Sequence, residues 1–381
     1  MKKKIVILCS YILVAALATA VTLGFTSGRE EYSKLDQLEE LIESRFIGDA
    51  DREAMEDAAA AAMVSATGDR WSYYIPASEY QNYAEQMANA YVGVGITIQA
   101  QEDESGFLII SVTAGGPAEE AGLRIGDLLI KAEDQDVRGW ATEDVRELIR
   151  GEQGTSVTLT VLRSGESVTV PVERRKLETK VASYEMLTGK TGLVTIENFD
   201  ERCAEETIAA IEALLEQGAE KLILDVRNNP GGYADELVKV LDYLLPEGEV
   251  FRTVDYRGQE KIDYSDESCL EIPMAVLVNG NSYSAAEFFA AALQESGAAI
   301  VVGEKTVGKG YFQVTYRLND GSAAAISVGE YFTPKGENLA GVGITPDKVV
   351  TVDEETAAAI YYDTLTPEED PQIQAALKEL Q

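Results

Sequence analysis

Residues 274–289, MAVLVNGNSYSAAEFF, decide how the chain is read. Met274–Val278 is a short apolar run that fits a buried strand. Asn279-Gly280-Asn281 ends it with turn residues. From about Ala285 to Gln294 the pattern turns helical, with Ser284 just before it. An upstream segment has the same layout: an apolar strand at Lys221–Val226, the turn Arg227-Asn228-Asn229-Pro230-Gly231-Gly232, and a helix at Asp235–Leu245. Strands at Thr191–Ile196 and Ile300-Val301-Val302, with an amphipathic helix at Cys203–Gln217, complete a β-α-β-α-β order. That order predicts an α/β core with parallel strands over 177–355. Sites in such sheets lie at the carboxyl ends of the strands, here 227–232 and 279–284.

Two readings of Ser284 share one geometry. The plain one is a capping box, Ser at the N-cap and Glu287 three residues later. The functional one places a hydroxyl in the positive end of a helix dipole, which stabilises an alkoxide or oxyanion. The GxSxG pattern of a nucleophile elbow is absent. A nucleophilic serine needs a base, and the 381 residues contain no histidine. Ser-His-Asp triads, Cys-His dyads and HExxH zinc sites are thereby excluded. Lys309, between Gly308 and Gly310, is the candidate base. It must be neutral to act, so burial or nearby positive charge has to lower its pKa from about 10.4. Its plain reading is a surface lysine in a glycine turn. Lys305, beside Glu304, is a rival expected to be exposed. Residues 227–232 offer backbone N–H groups to an anion, or are simply a strand-to-helix turn.

Composition sets the limits. Lys and Arg number 32 and Asp and Glu 66, a net charge of −34, which argues against nucleic-acid binding. Three cysteines without a CxxC pair exclude the usual structural zinc sites, and no metal or cofactor is expected. Met1-Lys2-Lys3-Lys4 precedes an apolar run from Ile5 to Phe25, 21 residues, enough to span a bilayer. The lysines put its amino end in the cytoplasm and everything after Gly28 outside it. A cleaved signal peptide with Ala18 and Ala20 at its cleavage site is the competing reading; the length of the run favours an anchor. Beyond it, export permits a disulfide between Cys203 and Cys269, but two buried free thiols are the simpler expectation.

The expected organisation is α/β and multidomain: anchor or signal segment 1–28, helical arm 29–90, β-rich module 91–176, core 177–355 and acidic helical tail 356–381. In the module, Val94, Ile96 and Ile98 alternate as in a strand, and Leu108-Ile109-Ile110 and Val157–Val161 read as further strands. Thr142–Ile149 reads as a helix with Thr142 as N-cap and Val145, Leu148 and Ile149 on one face.

Taken together, LDVRNNPGG (224–232), VLVNGNSYSAAEF (276–288), VGEKTVGKGYFQ (302–313) and YFTPKGENLAGVGITPD (331–347) resemble the carboxy-terminal processing, or tail-specific, proteases. GVGI (93–96) and GPAEEAGLRIGDLLI (116–130) resemble that family's PDZ domain. The resemblance implies a crotonase- or Clp-like protease core with a Ser-Lys dyad. Ser284 would be the nucleophile, and Lys309, 25 residues on, the general base. Gln313 would orient that lysine, and backbone N–H groups of Gly231 or Gly232 and of Ala285 would form the oxyanion hole. Tyr283 departs from the family, where many relatives have Ala, and adds bulk beside the nucleophile. The PDZ would capture a free substrate carboxyl end at Val94-Gly95, over an apolar pocket of Ile96, Val145 and Ile149. Arg150 is the candidate for coupling capture to activation; otherwise it is an end-of-helix cation. The implied protein is an extracytoplasmic serine endopeptidase held in the cell membrane, with a homodimer through the arm and tail. The alternative is a PDZ-containing binding or adaptor protein without proteolysis.

Overall fold

The computed structural model describes residues 33–381. The expected anchor or signal segment at 1–28 lies outside the described residues. No helix among the described residues is long and apolar enough to cross a membrane. The chain divides after Gly68. The first unit contains α1 (Lys34–Arg45), capped by Ser33 through Asp36, and α2 (Arg52–Ser65), capped by Asp51. Along α1, Leu35, Leu38 and Leu41 are all exposed.

The second unit runs from Asp69 to Gln381. It starts with β1 (Tyr73–Ile75), α3 (Ala77–Met87) and β2 (Ala90–Gly93). The β-rich module follows as β3 (Ile96–Ala100), β4 (Phe107–Val112), α4 (Pro117–Glu120), β5 (Leu128–Ala132), β6 (Gln135–Asp136), α5 (Thr142–Ile149), β7 (Ser156–Arg163) and β8 (Glu166–Glu173). The chain leaves by β9 (Arg175–Glu178), which pairs antiparallel with β2, so entry and exit share one stem. The module sheet runs β3-β4-β5-β7-β8, with β6 beside β5. Its core includes Phe107, Ile109, Leu129, Leu159 and Val161. The N-cap of α5 is Ala141 rather than Thr142, and no side chain caps it. The amphipathic face, with Val145 and Ile149 buried, is what holds this helix in place.

The core elements are β10 (Ala182–Leu187), β11 (Thr191–Ile196), α6 (Cys203–Glu216), β12 (Lys221–Asp225), α7 (Ala234–Leu244), β13 (Gly248–Asp255), β14 (Glu260–Ser265), β15 (Met274–Val278), α8 (Ala285–Ser296), β16 (Ala299–Gly303), β17 (Tyr311–Arg317), β18 (Ala323–Phe332), β19 (Lys348–Val349), α9 (Glu354–Tyr361) and α10 (Pro371–Glu379). One sheet runs β10-β11-β12-β15-β16-β19, parallel except for β10 at its edge. Its strands are apolar throughout because both faces are covered. Leu222, Leu224, Val276 and Val278 meet Ile211, Leu241, Phe288 and Phe289 of α6, α7 and α8. Ile223, Ala275 and Leu277 meet Ile373, Ala376 and Leu380. The expected acidic tail therefore ends in a helix that covers the second face of the sheet.

A second sheet, β1-β18-β13-β14 with β17 on β18, was not anticipated. Through β1 it takes in Tyr73–Ile75, paired antiparallel with Ala323–Ala325. Residues 69–90 thus fold with the core, and the helical arm expected over 29–90 stops at Gly68.

Candidate active site

Two loops at the carboxyl ends of β12 and β15 are laced together by amides. Asn279 accepts from the Asn228 N–H at 2.9 Å and returns its own amide to Asn228 Oδ1 at 2.9 Å. The Ser282 hydroxyl donates to the Val226 carbonyl at 2.7 Å. At the head of α8 sits Ser284, 5% exposed, with φ 59 and ψ −126. A non-glycine residue in that region is strained, and such strain gathers at functional sites. Gly231 explains how the strain is held in place. A Cβ at Gly231 would lie 2.7 Å from Ser284 Cβ and 2.8 Å from Ala285 N, and its own φ is +91. Only glycine lets the two loops approach this closely.

Glu287 is a cap for α8, as its spacing from Ser284 predicts, and also something more. Fully buried, it accepts from Ser284 N–H (3.0 Å), the Thr306 hydroxyl (2.5 Å), Gly308 N–H (2.7 Å) and Lys309 N–H (2.8 Å). Burial pushes its carboxyl up, against the pull of those four donors. One carboxylate thereby fastens the serine loop to the lysine loop. The lysine loop also needs its glycine: a Cβ on Gly308, at φ +85, would lie 3.0 Å from the N atoms of Gly341 and Gly343.

Lys309 is half-buried and Lys305 exposed. Burial lowers the Lys309 ammonium to about 8, although Asp69 and Glu287 pull it upward. Its Nζ rests 4.9 Å from the ring centroid of Trp71 and 5.8 Å from that of Tyr283. The two rings stack at 5.7 Å, and the Arg70 guanidinium lies 4.3 Å from the Trp71 ring centroid. Trp71 carried no signal in the sequence, because its place beside Lys309 depends on β1 joining the second sheet. Tyr283 does add bulk beside Ser284, as its departure from the family suggests.

Ser284, Lys309, Gln313, Gly231 and Gly232 line one cleft of about 1490 Å³. Among the described residues, Lys309 Nζ makes no hydrogen bond to Ser284 or to Gln313. Gln313 instead donates to Ser327 Oγ (2.8 Å) and the Tyr311 carbonyl (3.2 Å). Gln313 follows an irregularity in register after Phe312, and the expected glutamine contact to the lysine is not made in this structure. The Gln313 Oε1 acceptor has no partner among the described residues. For the oxyanion donors, Gly231 N–H already donates to Asn229 Oδ1 at 2.8 Å. Gly232 N–H and Ala285 N–H have no acceptor among the described residues, which distinguishes Gly232 from its neighbour.

In the β-rich module, the carbonyls of Val94 and Gly95 accept from Ala118 and Thr113, both at 2.9 Å. Their N–H groups have no acceptor among the described residues. Ile96 is half-buried on edge strand β3, whereas Val145 (0% exposed) and Ile149 (6%) belong to the module core. Leu148 is half-buried on the same helix as Val145 and Ile149 and packs against that core. Arg150 reaches Asn82 of α3 at 2.6 Å and lines the cleft, so it is more than a helix-end cation. Cys203 and Cys269 are both free. Cys203 is fully buried, and burial pushes its thiol up to about 12. Cys269 is half-buried.

Residues 190–350 match the family described as peptidase family S41, and residues 108–163 match a PDZ domain. A probable CtpA-like serine protease of Staphylococcus saprophyticus is 32% identical over 358 residues, covering 91% of this chain and 72% of that protein. One from Staphylococcus aureus strain COL is 32% identical over 360 residues, with the same coverage. The crystal structure of a putative S41 protease from Bacteroides fragilis overlaps with a TM-score of 0.52 at 17% identity, covering 92% of this chain and 98% of that one; it bears on the fold.

Proposed function

The chain belongs to peptidase family S41 as a serine peptidase of the carboxy-terminal processing type with a PDZ domain, and from that premise we propose that Ser284 and Lys309 are its catalytic dyad. The observation that carries the assignment is the Glu287 carboxylate. It binds the strained Ser284 and the lowered Lys309 into one cleft. Neutral Lys309 takes the Ser284 Oγ proton as Oγ attacks the substrate carbonyl carbon. The oxyanion is met by Gly232 N–H and Ala285 N–H. The Lys309 ammonium then protonates the leaving amine. Water, losing its proton to Lys309, attacks the acyl-enzyme, and Lys309 returns that proton to Ser284 Oγ as the acyl–oxygen bond breaks and the new carboxyl end is released. Lys309 must swing from the Trp71 ring to Ser284 for this, and the open Gln313 Oε1 is the acceptor that would hold it there.

The free N–H groups of Val94 and Gly95 support capture of a substrate carboxylate at the edge of β3. The largely apolar run of 21 residues after three lysines supports retention in the cell membrane with the catalytic unit outside the cytoplasm. The exposed Leu35, Leu38 and Leu41 of α1 support pairing of two copies through the arm.

The test uses the purified full chain, peptides with free or amidated carboxyl ends, and mass spectrometry of the products. Internal cleavage of the free-ended peptides should be lost in Ser284→Ala and in Lys309→Ala. Hydrolysis surviving both substitutions would refute the dyad. Tight peptide binding with no cleavage by the unaltered chain would leave a binding protein.

A further inference from the structure

Asp200 has no place in this chemistry, yet it lines the same cleft as Ser284. It is 8% exposed, and its Oδ1 is buried without a partner. Among the described residues its carboxylate accepts no hydrogen bond and meets no cation. The charge that acts on it is another carboxylate, Glu201. The cations of the cleft are engaged elsewhere: Arg150 on Asn82, Arg146 on Glu143, Arg70 over Trp71, and Lys309 beside Trp71 under the pull of Asp69 and Glu287. A buried carboxylate in this condition costs several kcal/mol unless something pairs with it.

Its location is defined by backbone contacts. Phe199 N–H donates to the Gly231 carbonyl and Tyr233 N–H to the Phe199 carbonyl, both at 2.7 Å. Asp200 is therefore one residue from the bridge that holds Gly232, and its N lies 2.7 Å from where a Gly232 Cβ would be. Tyr73, Tyr233 and Tyr283 line the cleft with it, and all three feel its charge. A carboxylate among tyrosine rings suits one kind of guest. The rings present negative faces to a cation, the carboxylate pairs with it, and acidic side chains are repelled by both Asp200 and Glu201.

We propose that Asp200 forms a subsite for a cationic side chain, so that preferred substrates carry Lys or Arg close to the cleaved bond. The proposal rests on the peptidase reading above and adds its substrate class. N-acetylated peptides with free carboxyl ends carry lysine, norleucine or glutamate at each position in turn, so the side chain is the sole cation. For the full chain, kcat/KM should favour lysine over norleucine by at least about tenfold at one position, which is about 1.4 kcal/mol. In Asp200→Asn that ratio should fall to within about twofold, and in Asp200→Glu the preference for lysine should persist. The same peptides are titrated by fluorescence anisotropy into Ser284→Ala and into Ser284→Ala/Asp200→Asn. Lysine-selective binding lost with Asp200 supports the subsite even if the unaltered chain cleaves nothing, an outcome that sinks only the peptidase reading. A lysine preference unchanged in Asp200→Asn, or none at any position in either assay, overturns the proposal.

Discussion

The pH dependence of the reaction is the sharpest consequence of the site. A half-buried ammonium near 8, against an ordinary 10.5, changes how much of Lys309 is neutral. The neutral fraction is about 9% at pH 7, half at pH 8 and about 90% at pH 9. Since kcat/KM reports the free enzyme's essential base, it should rise about tenfold from pH 7 to pH 9 and then level. A lysine at its ordinary value would be about 0.03% neutral at pH 7 and would still be gaining at pH 10. Initial rates on an N-acetylated peptide with no group titrating between pH 6 and 10 would trace the curve, with circular dichroism confirming the fold at each end. Asp200, pushed up to about 7, is the other group of the cleft that titrates near neutrality. The inflexion near 8 should therefore survive in Asp200→Asn. A flat profile with chemistry limiting, or an inflexion left near 10.5, would show that Lys309 is not a desolvated base.

Three further perturbations test the supporting residues. Trp71→Ala admits water beside Lys309 and should move the inflexion up toward 10.5; Trp71→Leu keeps the site dry but removes a cation–π contact worth about 0.5–2 kcal/mol, and should move it down. Equal shifts in both variants would contradict that account. Asp370→Ala strips one of two carboxylates from buried Arg227 (2.7 Å), leaving Asp225 in place, and removes the cap of α10, so urea unfolding should show a loss of about 2–3 kcal/mol, and a change below about 1 would refute the clamp. Asp200→Asn should act on stability with a definite sign. The Asp200 carboxyl sits at about 7 folded against 3.8 unfolded, so ionisation penalises the folded state increasingly as pH rises from 4, and fully above 7. The variant should match the parent near pH 3.5 and gain up to about 4 kcal/mol at pH 8, whereas a difference independent of pH would be evidence against the buried charge.

The parallel sheet could be read from the chain because each strand is a local apolar run between turn residues. Thr191–Ile196 and Met274–Val278 form strands over those same bounds. Thr142–Ile149 is likewise helical over its expected span, through its buried stripe and without the threonine cap. The second sheet was not legible. Tyr311–Arg317 is mostly exposed, and the three residues of β1 lie in a stretch whose composition reads as helical. β17 meets β18 as a local hairpin, Arg317 opposite Ala323, but β1 finds its partners Ala323–Ala325 far away in sequence, and periodicity reports which face is buried without saying against what.

From the sequence alone, the missing histidine removes the usual base, and the strand-end loops with Ser284 and Lys309 indicate where a Ser-Lys reaction could occur. Those are matters of residue type and local spacing. The tertiary structure decided what surrounds that pair. Glu287 joins the two loops, Trp71 receives the lysine, Gly231 has its N–H engaged while that of Gly232 stays open, and Asp200 is left unpaired. Most of these depend on distances between segments up to 238 residues apart, as from Trp71 to Lys309, and on a desolvation that arises only once the chain has closed around them.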